Sequence, residues 1–162
     1  MATQLDAAIL DLDDATGRLT QVISELISVP DQHDPALARL TRSARYGTLL
    51  DLAAANLKAG RPVVLAAPFS AERAQQSAWA ATTRRLEASA ADPTMVWLHL
   101  APEELVRRLT RRGLARDEYK IRDPASFLAG HDFGPPVVPH LALDASEPGT
   151  ILVSQVLEHL SR

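Results

Sequence analysis

The stretch RPVVLAAPFSAER, residues 61–73, decides the fold class of this chain. Gly60 and Pro62 stop whatever helix precedes them, and VVLAAPF at 63–69 then opens on two β-branched residues and stays apolar throughout. An uninterrupted apolar run of this length, without in-out alternation, marks a strand buried on both faces. Ser70 follows as a residue able to cap a helix over about 71–90. A buried strand that passes directly into a helix belongs to an α/β architecture.

The same alternation extends in both directions. AAILDL at 7–12 reads as a short buried strand whose end carries Asp11, Asp13 and Asp14. Over 16–28, Leu19, Val22, Ile23, Leu26 and Ile27 recur at helical spacing and define an apolar face expected to be buried. SVPDQHDP is a loop. Asp34 with Pro35 behind it starts a long helix toward Gly60, with Leu37, Leu40, Ala44, Leu49, Leu52 and Leu57 as its apolar positions. Downstream, TMVWLHL at 94–100 is a third strand, Pro102 to Arg112 a helix closed by Gly113, HLALDAS at 140–146 a fourth strand, and about 149–161 the last helix. Strands and helices in strict alternation predict a mostly parallel sheet with helices on both faces, a three-layer α/β domain spanning 1–162. Functional residues in such sheets gather at the carboxyl ends of the strands.

Composition excludes several classes of protein. Apolar residues make up 46% and charged residues 23% of 162 residues, which is globular. With no cysteine, thiolate zinc sites and cysteine nucleophiles are excluded, and the five histidines include no pair at metal-ligand spacing. No metal site is expected from the residues alone. The apolar run 63–69 is too short to cross a bilayer and the N-terminus has no basic signal region, so a cytoplasmic, membrane-free protein is expected. Trp79 and Trp97 read as core residues, and His140 as a hydrogen-bonding residue at a strand end.

Charge is unevenly placed. RRLTRRGLARDEYK, residues 107–120, holds six cations against two anions, a net of +4 in a chain whose total is −3. Positive charge confined to one short segment suits a small anionic ligand better than non-specific coating of nucleic acid, which calls for basic character across a face, and no sequence-specific nucleic acid is expected. Arg108 and Arg112 lie four residues apart on one helical face, and Arg116 follows the Gly113 break. The acids Glu103 and Glu104 at the start of that helix and the arginines at its end also satisfy the helix dipole, so a solvated face gives the same pattern.

DLDD after the first strand, RSARYGTLLDLAAANLKAGRPVVLAAPFSAER in the middle, RLTRRGLARDEYK after VWLHLAPEEL, and PHLALDAS near the end together resemble the small P-loop kinases of the AAA, zeta-toxin-like and polynucleotide-kinase-like kind. The resemblance implies ATP and Mg2+ as cofactors and transfer of the ATP γ-phosphoryl group to a hydroxyl of a small-molecule or nucleotide-like acceptor. Residues 107–122 would form an arginine-rich lid, with Arg108, Arg112 and Arg116 on the triphosphate and Arg112 and Arg116 stabilising the transferring group. Asp13 would orient or deprotonate the acceptor hydroxyl, with Asp14 one residue away as the alternative or as a helix cap. Arg45, beside Arg42 and Tyr46, and Lys120 would contact the substrate. APFSAER offers Ser70 and backbone N–H groups to an anion, or a helix cap and nothing more.

The family's G-x-x-x-x-G-K-[ST] phosphate loop has no counterpart in these residues: the two lysines, Lys58 and Lys120, are followed by Ala and Ile. Relative to the family the sequence begins after the phosphate loop and the first, central strand. A sheet lacking its central strand leaves edge groups and apolar faces to be covered, by closure of the two halves or by another chain, including a second copy in a homo-oligomer, unless the start of the sequence is misassigned. The alternative functional reading is a non-catalytic nucleotide- or anion-binding regulatory module.

Overall fold

The computed structural model describes residues 6–29, 34–114 and 117–161. In chain order the elements are β1 (Ala8–Asp11), α1 (Leu12–Leu26), α2 (Pro35–Lys58), β2 (Val63–Ala66), α3 (Ser70–Ala74), α4 (Gln76–Glu87), β3 (Val96–His99), α5 (Pro102–Arg112), α6 (Glu118–Arg122), α7 (Pro124–Ala129), β4 (Leu141–Asp144) and α8 (Gly149–Leu160). The chain divides into two compact units, 1–93 and 94–162, each with its own two-stranded parallel sheet.

In the first unit β1 and β2 run parallel, with Ala8 opposite Val63 and Asp11 opposite Ala66. The crossover between them consists of α1 and α2, the long connection that parallel pairing demands. Leu50 and Ala53 of α2 and Leu86 of α4 form a buried cluster, against which Leu10, Val63 and Leu65 of the strands and Leu57 pack. Gly60, at φ +75, turns the chain from α2 toward β2 through a conformation that L side chains rarely adopt.

α1 turns a different face inward from the one its apolar spacing predicts. Leu12, Thr16, Thr20 and Ser24 are buried, while Leu19 (70% exposed), Val22 (50%) and Leu26 (78%) face outward. Burying hydroxyls costs little here, because each is satisfied close by. Thr16 Oγ1 donates to the Leu12 carbonyl at 2.6 Å, Thr20 Oγ1 to the Thr16 carbonyl at 2.9 Å, and Ser24 Oγ to the Val29 carbonyl. In α2, Leu37 and Leu49 are fully buried, whereas Leu40 is 62% exposed, so part of its expected apolar face also lies outside.

The second unit repeats the parallel pairing: Val96 lies opposite Leu141 and His99 opposite Asp144. Met95, Leu109, Val138, Leu143 and Val156 are buried in it. Gly113 adopts φ +62 as the left-handed C-cap of α5, its N–H bonded to the Leu109 carbonyl, as its place after the arginines predicts. Residues 117–139 add α6 and α7, two helices of five and six residues that the polar, proline-bearing sequence does not announce. Both sheets are parallel and α/β, as expected; a single three-layer sheet is not what the pairing describes.

Candidate functional site

The carboxyl ends of β1 and β2 lie side by side, and the residues that follow them build the site of the first unit. Asp11, the last residue of β1, caps α1: its Oδ1 accepts from the backbone N–H groups of Asp13 at 2.8 Å and Asp14 at 3.1 Å. The helix therefore starts at Leu12. Asp13 sits in its first turn, not at a strand end, and the capping role assigned to Asp14 belongs to Asp11.

Asp13 and Arg45 meet. Arg45 Nη2 donates to Asp13 Oδ1 at 2.5 Å while its Nε donates to Thr16 Oγ1 at 2.8 Å. Thr16 is buried and itself anchored on the Leu12 carbonyl, so the guanidinium is held at two points. Asp13 remains 69% exposed and reachable by a ligand. The candidate acceptor-activating carboxylate and one candidate substrate-binding arginine thus form one arrangement, beside a concavity of about 230 Å³ lined by Asp11, Leu12, Asp13 and the Ala66–Pro68 segment.

A second concavity of about 220 Å³ adjoins it through Leu12 and Pro68 and is lined by Arg39, Arg42, Arg45 and Tyr46. The Arg42 guanidinium lies 4.5 Å from the centre of the Tyr46 ring, donates to Ser70 Oγ at 3.2 Å, and stands 3.5 Å from Glu72. Burial raises the Tyr46 hydroxyl above its ordinary range, the nearby Arg42 charge opposing it. That hydroxyl accepts the Phe69 N–H at 3.0 Å, and the two rings meet edge-to-face at 5.6 Å. Phe69 occupies the left-handed region at φ 43, an unfavourable conformation for a side chain of this size. Ser70 does not cap the helix after β2: Phe69 holds the cap position, without a side-chain hydrogen bond. The single helix expected over 71–90 breaks at Gln75 into α3 and α4.

In the second unit the arginines expected to converge have separate partners. Arg108 Nε donates to Glu104 at 2.7 Å and its Nη1 to the Ala145 carbonyl at 2.8 Å. Arg112 donates to Asp117 through Nε at 2.9 Å and through Nη2, and Lys120 Nζ reaches the other oxygen of the same carboxylate at 3.0 Å. Arg116 lies outside the described residues. Burial of Asp117 alone would raise its pKa, but hydrogen bonds from Arg112 and Lys120, with their charges, hold it below the ordinary carboxylate range. At the end of β4, hydrogen bonds from Ser146 likewise depress Asp144, which faces His99 in the register. His140 bonds the Val138 carbonyl at 2.7 Å just before β4, the strand-end role its position predicts.

A depressed folded pKa means that the Asp117 cluster stabilises the second unit above the ordinary carboxylate value near 4, and that this contribution fades as pH falls through the lower, folded value. Asp117→Asn is expected to cost about 1–3 kcal/mol at neutral pH, less than a fully enclosed pair because Arg112 is half-exposed. Urea unfolding at pH 7 and pH 3 checks this: the gap between parent and variant should narrow at the lower pH.

The model of the AAA domain family, which is P-loop kinase-like, matches residues 1–131. The chain belongs to that family. Among solved structures, a proposed kinase from Chloroflexus aurantiacus j-10-fl superimposes with a TM-score of 0.63 at 18% identity, over 99% of this chain and 85% of that one. No curated protein matches. Membership gives the chain a kinase-like, nucleotide-binding character, and members of the family generally use ATP and Mg2+. The residues present do not make a complete site for that pair. No lysine is followed by Ser or Thr, and no group of three acidic or histidine side chains able to hold a metal occurs among the described residues. No helix among the described residues is long and apolar enough to cross a membrane.

Proposed function

We propose that this chain handles the acceptor in a phosphoryl transfer, presenting a hydroxyl of a small-molecule or nucleotide-like acceptor to a phosphoryl donor. The observation that carries this reading is the Asp13–Arg45–Thr16 arrangement at the carboxyl end of β1, open to a concavity, in a member of a kinase-like family. Asp13 accepts the hydroxyl proton as the acceptor oxygen bonds to the γ-phosphorus of the donor and the bond from that phosphorus to the bridging oxygen breaks, releasing ADP. Arg45, pinned by Thr16, fixes the carboxylate and offers its remaining donors to charge that develops on the transferring group. Arg108, Arg112 and Arg116 are the candidate lid cations, and Lys120 is the second candidate substrate contact.

Because the phosphate loop is not among these residues, ATP is expected to bind weakly and transfer to be slow. Single-turnover assays with labelled ATP, Mg2+ and a panel of hydroxyl acceptors, run at high protein concentration, test the reading. Acceptor-dependent label transfer supports it; its absence across the panel overturns it. The arginine-lined second concavity favours a second reading, a non-catalytic nucleotide- or anion-binding module, which is the outcome if calorimetry detects nucleotide binding without transfer.

A further inference from the structure

The two adjoining concavities of the first unit differ in charge. One carries Asp11 and Asp13; the other carries Arg39, Arg42 and Arg45 and no acid. The three arginines follow one another at intervals of three residues along α2, so at 1.5 Å per residue they spread over about 9 Å of helix. A guanidinium has five N–H donors. Arg45 spends donors on Asp13 and Thr16, at the acidic end. Arg42 donates to Ser70 and sits against Tyr46, and its ion pair with Glu72 is loose at 3.5 Å, leaving Glu72 Oε2 buried without a hydrogen bond among the described residues. Arg39 is exposed and has no ion pair among the described residues. The cleft therefore has donors to spare at one end and a carboxylate at the other.

We propose that the acceptor carries a phosphate monoester of its own, seated on Arg39 and Arg42, with its reactive hydroxyl directed to Asp13. This deepens the phosphotransferase reading and rests on it. A dianion matches one cation with no ion pair among the described residues and a second whose counter-charge is poorly bonded, and phosphate oxygens take the forked geometry of two guanidinium groups. Tyr46, its ring already under Arg42, forms the wall beside that seat.

Calorimetric titration of the whole chain with ribose and ribose 5-phosphate, and with adenosine and adenosine 5′-monophosphate, tests the phosphate seat. Each phosphorylated member should bind about tenfold to a hundredfold more tightly than its partner. Arg39→Gln, at an exposed position whose loss leaves the fold intact, and Arg42→Gln should each erase most of that preference, whereas Arg84→Gln on the exposed side of α4 should not. Equal binding within each pair, or a preference that survives both pocket variants, overturns the proposal. Acceptor-dependent transfer without a phosphate preference sinks this inference and leaves the phosphotransferase reading standing. A preference that depends on Arg39, without any transfer, keeps the anion seat and sinks the reading it was built on.

Discussion

Asp13→Asn is expected to lower acceptor-dependent phosphoryl transfer by about 10²- to 10⁴-fold, the usual contribution of a positioned proton acceptor. Stability should hardly move. Asp13 is 69% exposed, so its pairing with Arg45 counts as a surface ion pair, contributing at most about 1 kcal/mol, and its place in the first turn of α1 adds a few tenths more through the helix dipole. Asparagine keeps the shape and leaves Arg45 tethered to Thr16 through Nε. Loss of rate with an unchanged unfolding midpoint and unchanged acceptor affinity is thus the signature of a proton acceptor. A rate within about threefold of the parent would assign Asp13 to structure alone, because a charge that only orders Arg45 can be replaced by the amide oxygen.

The reach of sequence reasoning differs between the two levels of this site. Four strands and their helical partners were legible because continuous apolar runs bounded by Gly60, Pro62 and Gly113 leave few alternatives, and each strand falls inside its expected segment. Asp13 and Arg45 were each legible as candidates. Their pairing was not, since no spacing rule relates residues 32 apart on two helices of a crossover. The helix start was misplaced for a local reason: Asp11 is both the last strand residue and the cap, and a strand with an acidic end cannot be told by pattern from a capped helix. Similarly, Phe69 in a left-handed conformation is invisible to residue preference, and only Tyr46, 23 positions away, explains how the turn is held. The arginine-dense segment was legible as charge but not as geometry. The carboxylate that engages Arg112, Asp117, lies inside the same stretch, and net charge does not say which cation a carboxylate pairs with.

The deepest disagreement concerns α1, and a pair of substitutions measures it. Spacing alone makes Leu26 a core residue and Thr20 a surface one, whereas Leu26 is 78% exposed and Thr20 is 8% exposed. Leu26→Ala is accordingly expected to change the unfolding free energy by no more than about 0.5 kcal/mol. Leu49→Ala in α2, at a position with no exposure at all, should cost about 2–5 kcal/mol, because its removal forfeits transfer energy and leaves a cavity. Against the 5–15 kcal/mol that hold an ordinary domain, that is a large fraction. The two tryptophans supply separate reporters: Trp79 belongs to the first unit and Trp97 to the second. In single-tryptophan backgrounds, Leu49→Ala should move the transition seen by Trp79. If the Trp97 transition moves with it, the units unfold as one cooperative body; if it stays, each sheet is stabilised by its own core. A Leu26→Ala cost as large as that of Leu49→Ala would restore the apolar face read from the spacing and place a partner over α1.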